Sequence, residues 1–174
     1  MLEFEKAWTK GTANSARFIK LLLETGIGES LFGFSFRPQH IMAKDPVIGN
    51  FVAFFLNGGN YEKLKPTNEM VKYLELTRTA VKSGAPVHEY AGNQRDKLPL
   101  IADMVEQLGY ENRASEIRDA LKLPLNAKEL DITGHDIMNM GYHGREIGQI
   151  LNNLLKAVHN HKVENNYNKL KEYI

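Results

Sequence analysis

No cysteine occurs among the 174 residues, which excludes a disulfide framework and any thiolate metal site and fits a reducing compartment. No apolar run approaches the roughly eighteen residues of a membrane span, and no basic start leads into a short apolar core. Neither a spanning helix nor a signal peptide is therefore expected, and a cytoplasmic location is the default. An excess of charge is lacking too: 22 Lys and Arg face 21 Asp and Glu, a net +1. Such a balance excludes a strongly basic coat, so any contact with RNA must come from a local patch. No segment alternates apolar and polar residues convincingly, which removes the sheet classes and leaves an all-α fold. GxSxG, HExxH and P-loop patterns are absent, so covalent hydrolysis, metalloprotease chemistry and P-loop phosphate chemistry have no sequence support. Internal repeats, low-complexity tracts and Gly/Ser linkers are missing as well. What is there, 43% hydrophobic and 25% charged residues, suits a globular chain of one or two small helical domains.

Along the chain, Phe4, Ala7 and Trp8, then Ala16, Ile19, Leu22 and Leu23, recur at helical spacing. They predict a short helical pair with Asn14 or Ser15 as cap and Gly26 as stop. Phe32, Phe34 and Phe36 alternate in an aromatic, turn-rich stretch and are expected to pack rather than to stack on bases. Asp45 and Pro46 read as N-cap and first residue of a helix whose body, VIGNFVAFFL, is apolar nearly all round and so belongs at the centre of a core. Thr67 caps a further helix with Met70, Val71, Leu74, Thr77 and Val81 on one face, stopped by Ser83 and Gly84. Its Lys72, Arg78 and Lys82 lie off that face, as solvated charge or as part of an RNA-facing surface. Two more helices are expected, one ending at Gly109 and one from about Glu111 to Leu121, before Pro124 breaks the chain.

Leu130 to Lys162 is the most informative stretch. Thr133 and, three residues on, Asp136 predict a helix opening at Gly134, with a hydroxyl as cap and a carboxylate in the positive first turn. Gly141 stops that helix. After the turn, Ile147, Ile150, Leu151, Leu154, Leu155 and Val158 form one apolar face, with Gln149, Asn152, Asn153 and Lys156 opposite. Gly141 and Gly144 free the backbone to approach a ligand, His143 and Arg145 supply donors, and the helix beyond them points unpaired N–H groups outward, an arrangement that suits a phosphate. The simpler reading is that the two glycines only cap and turn two helices.

The stretch TGHDIMNMGYHGREIGQILNNLLKAVHNHKVENN resembles the C-terminal tail of the bacterial-type (class II) tRNA nucleotidyltransferases, the CCA-adding enzymes and their poly(A) polymerase relatives. In that family the tail opens on nGxDL, continues through GpxiGxiL and closes on aVxxgxxxN, and the order of residues agrees over more than thirty positions. The family usually has Pro where this chain has Arg145. ARFIKLLLETGIGESLF is similar to the place where the family's neck passes into its body. The resemblance implies a helical neck end and body over residues 1–123 and a helical tRNA-binding tail over 124–174. It also implies that the region holds the elbow and acceptor arm of tRNA through phosphates and shape, since A-form helices hide their base edges.

On that view Gly141, His143, Gly144, Arg145, Lys156, Lys162 and Lys169 are the candidate phosphate-binding residues, while Thr133 and Asp136 are structural caps. Nucleotidyl transfer needs carboxylates that hold two magnesium ions. The family supplies them from a mixed α/β head with GS…R and DxD motifs, followed by an EDxxR motif in the neck, and none of the three is found here. The chain is expected to be the C-terminal portion of a longer enzyme or a headless relative, inactive alone. Magnesium and CTP or ATP would belong to the head, so this chain is expected to carry no cofactor. Two other readings stand beside this one. The first is a helical protein-interaction or oligomerisation module without RNA affinity. The second is a metal phosphohydrolase built on the pair His135–Asp136, in which Asp136 already has a structural task and the other histidines lie at no ligand-like spacing.

Overall fold

A computed structural model describes residues 2–9, 12–33 and 41–174, with side chains from residue 5 in the first of these segments and from 16 in the second. The fold is all-α. Eleven α-helices follow one another among the described residues, with short 3-10 turns between some of them and no strand. The chain divides into two compact units, Met1–Ala85 with Lys97–Ser115 and Pro86–Asp96 with Glu116–Ile174. The expected break at Pro124 falls inside the second.

In the first unit the expected pair forms as α1 (Leu2–Thr9) and α2 (Thr12–Glu24). The side chains of Phe4 and of the expected caps Asn14 and Ser15 lie outside those described, as do Phe34 and Phe36 altogether. Gly26, at φ 68°, reverses the chain into α3 (Ile27–Phe32), a six-residue helix too short to show a period. Asp45 caps α4 (Pro46–Phe55), its Oδ1 accepting from the N–H groups of Val47 and Ile48 at 3.0 and 2.9 Å. Every residue from Gly49 to Phe55 is buried, so α4 is the central helix that its all-round apolarity predicts.

Around α4 the rings of Trp8, Phe32, Phe51, Phe54 and Phe55 form one cluster. Phe54 and Phe55 stand edge to face at 4.9 Å, and Trp8 meets Phe51 and Phe54 at 6.5 and 6.3 Å. Burying each phenylalanine contributes about 2 kcal/mol before conformational entropy is counted. Helix α5 (Asn68–Lys82), capped by Thr67 Oγ1 on the Met70 N–H at 3.2 Å, packs on α4 and on α7 (Leu98–Gln107). Arg78 is not solvated charge. Its guanidinium donates to the carbonyls of Phe55 and Leu56, closing the C-terminal end of α4.

The second unit contains the one-turn α6 (Val87–Ala91), the end of α8 (Glu111–Ala120), α9 (Gly134–Asn139), α10 (Arg145–His159) and α11 (Tyr167–Tyr173). Its core joins Leu130, Ile132 and Ile137 to Leu154, Leu155 and Val158 of α10 and Leu170 of α11, with Ile147, Ile150 and Leu151 packed at the margin. The apolar stripe of α10 is therefore fully buried in its second half and half-buried in its first. Gln149, Asn152, Asn153 and Lys156 are exposed opposite it.

Candidate nucleic-acid interface

Helix α9 opens on a reciprocal cap, whereas α10, beyond the turn that follows α9, opens on no side-chain cap. Thr133 Oγ1 accepts from the Asp136 N–H at 3.3 Å while Asp136 Oδ2 accepts from the Thr133 N–H at 2.8 Å, the capping box that the sequence predicts. Hydrogen bonds from the hydroxyl and the N–H of Thr133 hold the Asp136 carboxyl below the usual carboxylate range. Asp136 of the HD pair is thus engaged in helix capping. Among the described residues, no group of three or more His, Cys, Asp or Glu is placed to hold a metal ion. Gly134 lies directly beneath α10, where an added Cβ would stand 3.2 Å from Cγ2 of Ile147. This close approach fixes the start of α9 against the start of α10.

Gly141 at φ 97° and Gly144 at φ 59° both take backbone that favours glycine, and a Cβ at either would meet no atom within 4 Å. The turn is consequently open on its outer side. Gly144 is the N-cap of α10 and offers no side-chain bond to the helix. His143, Gly144 and Arg145 are all exposed at the start of α10, where the Glu146 N–H bonds back to the carbonyl of His143 at 3.3 Å and no side chain caps the helix. No ion pair or hydrogen bond holds the Arg145 side chain among the described residues.

The structure brings Gly141, His143, Gly144 and Arg145 together and places the three lysines elsewhere. Lys156 lies eleven residues beyond Arg145 on the same helix, about 16 Å along its axis. Lys162 follows the far end of α10 and Lys169 is on α11, all three being exposed. Lys162 lines an open cleft of about 510 Å³ with Lys122, His161 and Glu164 over Leu123, Val158 and Val163. There α10 ends in a Schellman turn: the N–H of Lys162 bonds to the carbonyl of Ala157 at 2.9 Å and that of His161 to Val158 at 3.0 Å. His161 occupies the left-handed position at φ 54° that glycine usually takes.

Two arrangements in this unit escape sequence reasoning. Arg95 donates from Nη1 and Nη2 to the carbonyls of Leu121 and Leu123, both at 2.6 Å, and pairs with Glu129 Oε2. Asn126 adds a bond from Nδ2 to the carbonyl of Gly92 at 2.8 Å. These bonds are what attach the Pro86–Asp96 segment to the loop after α8. Nearby, the imidazoles of His88 and His159 stack at 4.0 Å and 23°. The local word HEY gives no sign of this partner, which follows far along the chain; only the placement of His159 in the last turn of an amphipathic helix hints at a structural role.

Compared with known proteins, the chain matches no family model, no curated protein and no solved structure.

Proposed function

We propose that the second unit grips tRNA through its phosphates, with the Gly141–Arg145 turn as the principal contact. Arg145 carries this reading. A cation in the first turn of a helix faces the positive end of the helix dipole, which costs about 0.3–1 kcal/mol, and no ion pair or hydrogen bond offsets that cost. Arg78, Arg95 and Arg113 are spent on backbone carbonyls, whereas Arg145 is exposed at a helix start that no side chain caps. A residue that works against local stability and bonds to no neighbour is suited to a ligand, and phosphate matches both the guanidinium and the helix terminus. The likeness of the tail to that of the CCA-adding enzymes names the RNA as tRNA, held at its elbow and acceptor arm. Lys156, Lys162 and Lys169 are then separate contacts at other places on the unit rather than one patch with Arg145.

Polymerisation would belong to a catalytic head with its magnesium, CTP and ATP. The chain alone is expected to incorporate no labelled nucleotide into tRNA, and incorporation by a clean preparation contradicts this. Binding is tested by anisotropy of labelled tRNA. Affinity should be measurable at about 50 mM salt and should fall between about 50 and 200 mM by about 3- to 40-fold, as one to three phosphate contacts require. No binding by the folded chain favours a helical protein-interaction module instead. The observation on that side is that α2 and α3 expose Leu21, Leu23, Ile27 and Leu31, each at least 37% accessible.

A further inference from the structure

His88, on α6, and His159, in the last turn of α10, meet face to face within the second unit. His159 is oriented by its own bond: Nε2 lies 2.7 Å from the carbonyl of Pro124, an acceptor only, so Nε2 carries the proton. His88 has no such partner. Both of its ring nitrogens are buried and neither makes a hydrogen bond among the described residues. A neutral imidazole in that position already has two unsatisfied polar atoms, and a protonated one would hold two buried N–H donors and a charge against another imidazole.

We propose that the stacked His88–His159 pair is an acid-released latch: neutral, it clasps the Pro86–Asp96 segment to α10 and the loop at Pro124, and on protonation of His88 it lets that segment go. The ionisable groups acting on His88 are Glu89 on its own helix and His159 and Lys156 on α10. Glu89 favours the charged ring. Burial, the strongest influence, followed by His159, and Lys156 more weakly, oppose it, and the balance holds His88 below the ordinary histidine value of 6.5. A base whose affinity for protons is weaker in the closed state than in the open one closes best above that value. Closure is lost as pH falls from 6.5 through the lower value of the folded state. Arg95, bonded to Glu129, is the fixed end from which the latch swings.

The test is amide hydrogen exchange of the full chain at about pH 7.5 and pH 5.0, on either side of the histidine range and corrected for intrinsic exchange rates. Protection of the Val87–Ala91 amides should fall at least about tenfold at the lower pH while that of α4 and α5 is retained. His88→Phe, which keeps a stacking ring and cannot take a proton, should abolish the fall. Equal protection of Val87–Ala91 at the two pH values, or the same fall in His88→Phe, overturns the proposal. Imidazole resonances of the unmutated chain give a second readout that needs no variant. Uptake of a proton by His88 should coincide with exposure of α6, and a His88 ring that titrates at the ordinary histidine value with α6 still protected overturns it equally.

Discussion

Arg95 and Glu129 are joined by two hydrogen bonds to a single carboxylate oxygen, Nε at 3.2 Å and Nη2 at 2.5 Å, while Nη1 and the same Nη2 donate to the carbonyls of Leu121 and Leu123 just after α8. Burial pushes Glu129 up. Hydrogen bonds from Arg95, the Leu125 N–H and Asn126, with the charge of Arg95, outweigh it and hold the carboxyl below its ordinary value of 4.5. The stability this gives is present above that value and is lost as pH falls through the lower folded-state value. Arg95→Ala should cost about 2 kcal/mol in urea unfolding, a figure already reduced for the partial exposure of both side chains. Arg95→Lys should restore less than half of it, because an ammonium cannot reach two carbonyls and a carboxylate at once. An Arg95→Ala chain as stable as the original would remove this node from the account.

Thr77 is 0% accessible on the core face of α5, and its hydroxyl has no hydrogen-bond partner among the described residues. Its place on the apolar face fits its methyl group and leaves the oxygen stranded. Thr77→Val, nearly the same shape, should therefore raise stability by about 1 kcal/mol. The midpoint of thermal unfolding reports it, and a lower midpoint would mean that the hydroxyl is satisfied in solution.

Helices with local signals are legible in the sequence, and contacts between distant segments are not. Asp45–Pro46, Thr67 and Thr133–Asp136 announce their helices because a cap and its target lie within three residues of each other. The burial of α4 is legible from its unbroken apolar run, and α10 from its stripe. Helices α3 and α6 are too short to display a period. Arg95 and Glu129 are neither in one helix nor at any diagnostic spacing, so nothing in the sequence pairs them. The grouping of residues 86–96 with the tail, which depends on that pair, is hidden for the same reason. At the candidate site the glycines and Arg145 are legible as a turn. The axial distance to Lys156 follows from helix geometry, and the places of Lys162 and Lys169 require the structure.

His161 takes a left-handed backbone at the end of α10 that costs a side-chain-bearing residue about 1 kcal/mol relative to glycine. His161→Gly should return most of that, less the entropy glycine adds to the unfolded chain, for a net gain of about 0.5 kcal/mol. Urea unfolding measures it. A loss of stability would show that the imidazole has a packing role in the cleft with Lys122 and Lys162.

Binding and stability should move in opposite directions at Arg145, which separates a ligand-binding residue from a structural one. Arg145→Glu places a carboxylate at the positive end of α10 and should leave stability equal or higher by a few tenths of a kcal/mol. The same change should weaken tRNA binding at low salt by more than about tenfold, roughly the 1.4 kcal/mol expected when a repulsion replaces one attraction to phosphate. Lys44→Glu, in the first unit beside Asp103, should change affinity less than about threefold, since no phosphate contact is assigned to that segment. The deciding measurement is the ratio of tRNA dissociation constants for these two variants, each confirmed folded by circular dichroism. The account predicts weaker binding in Arg145→Glu alone, and equal weakening in both variants, or none in either, would contradict a phosphate contact at the turn.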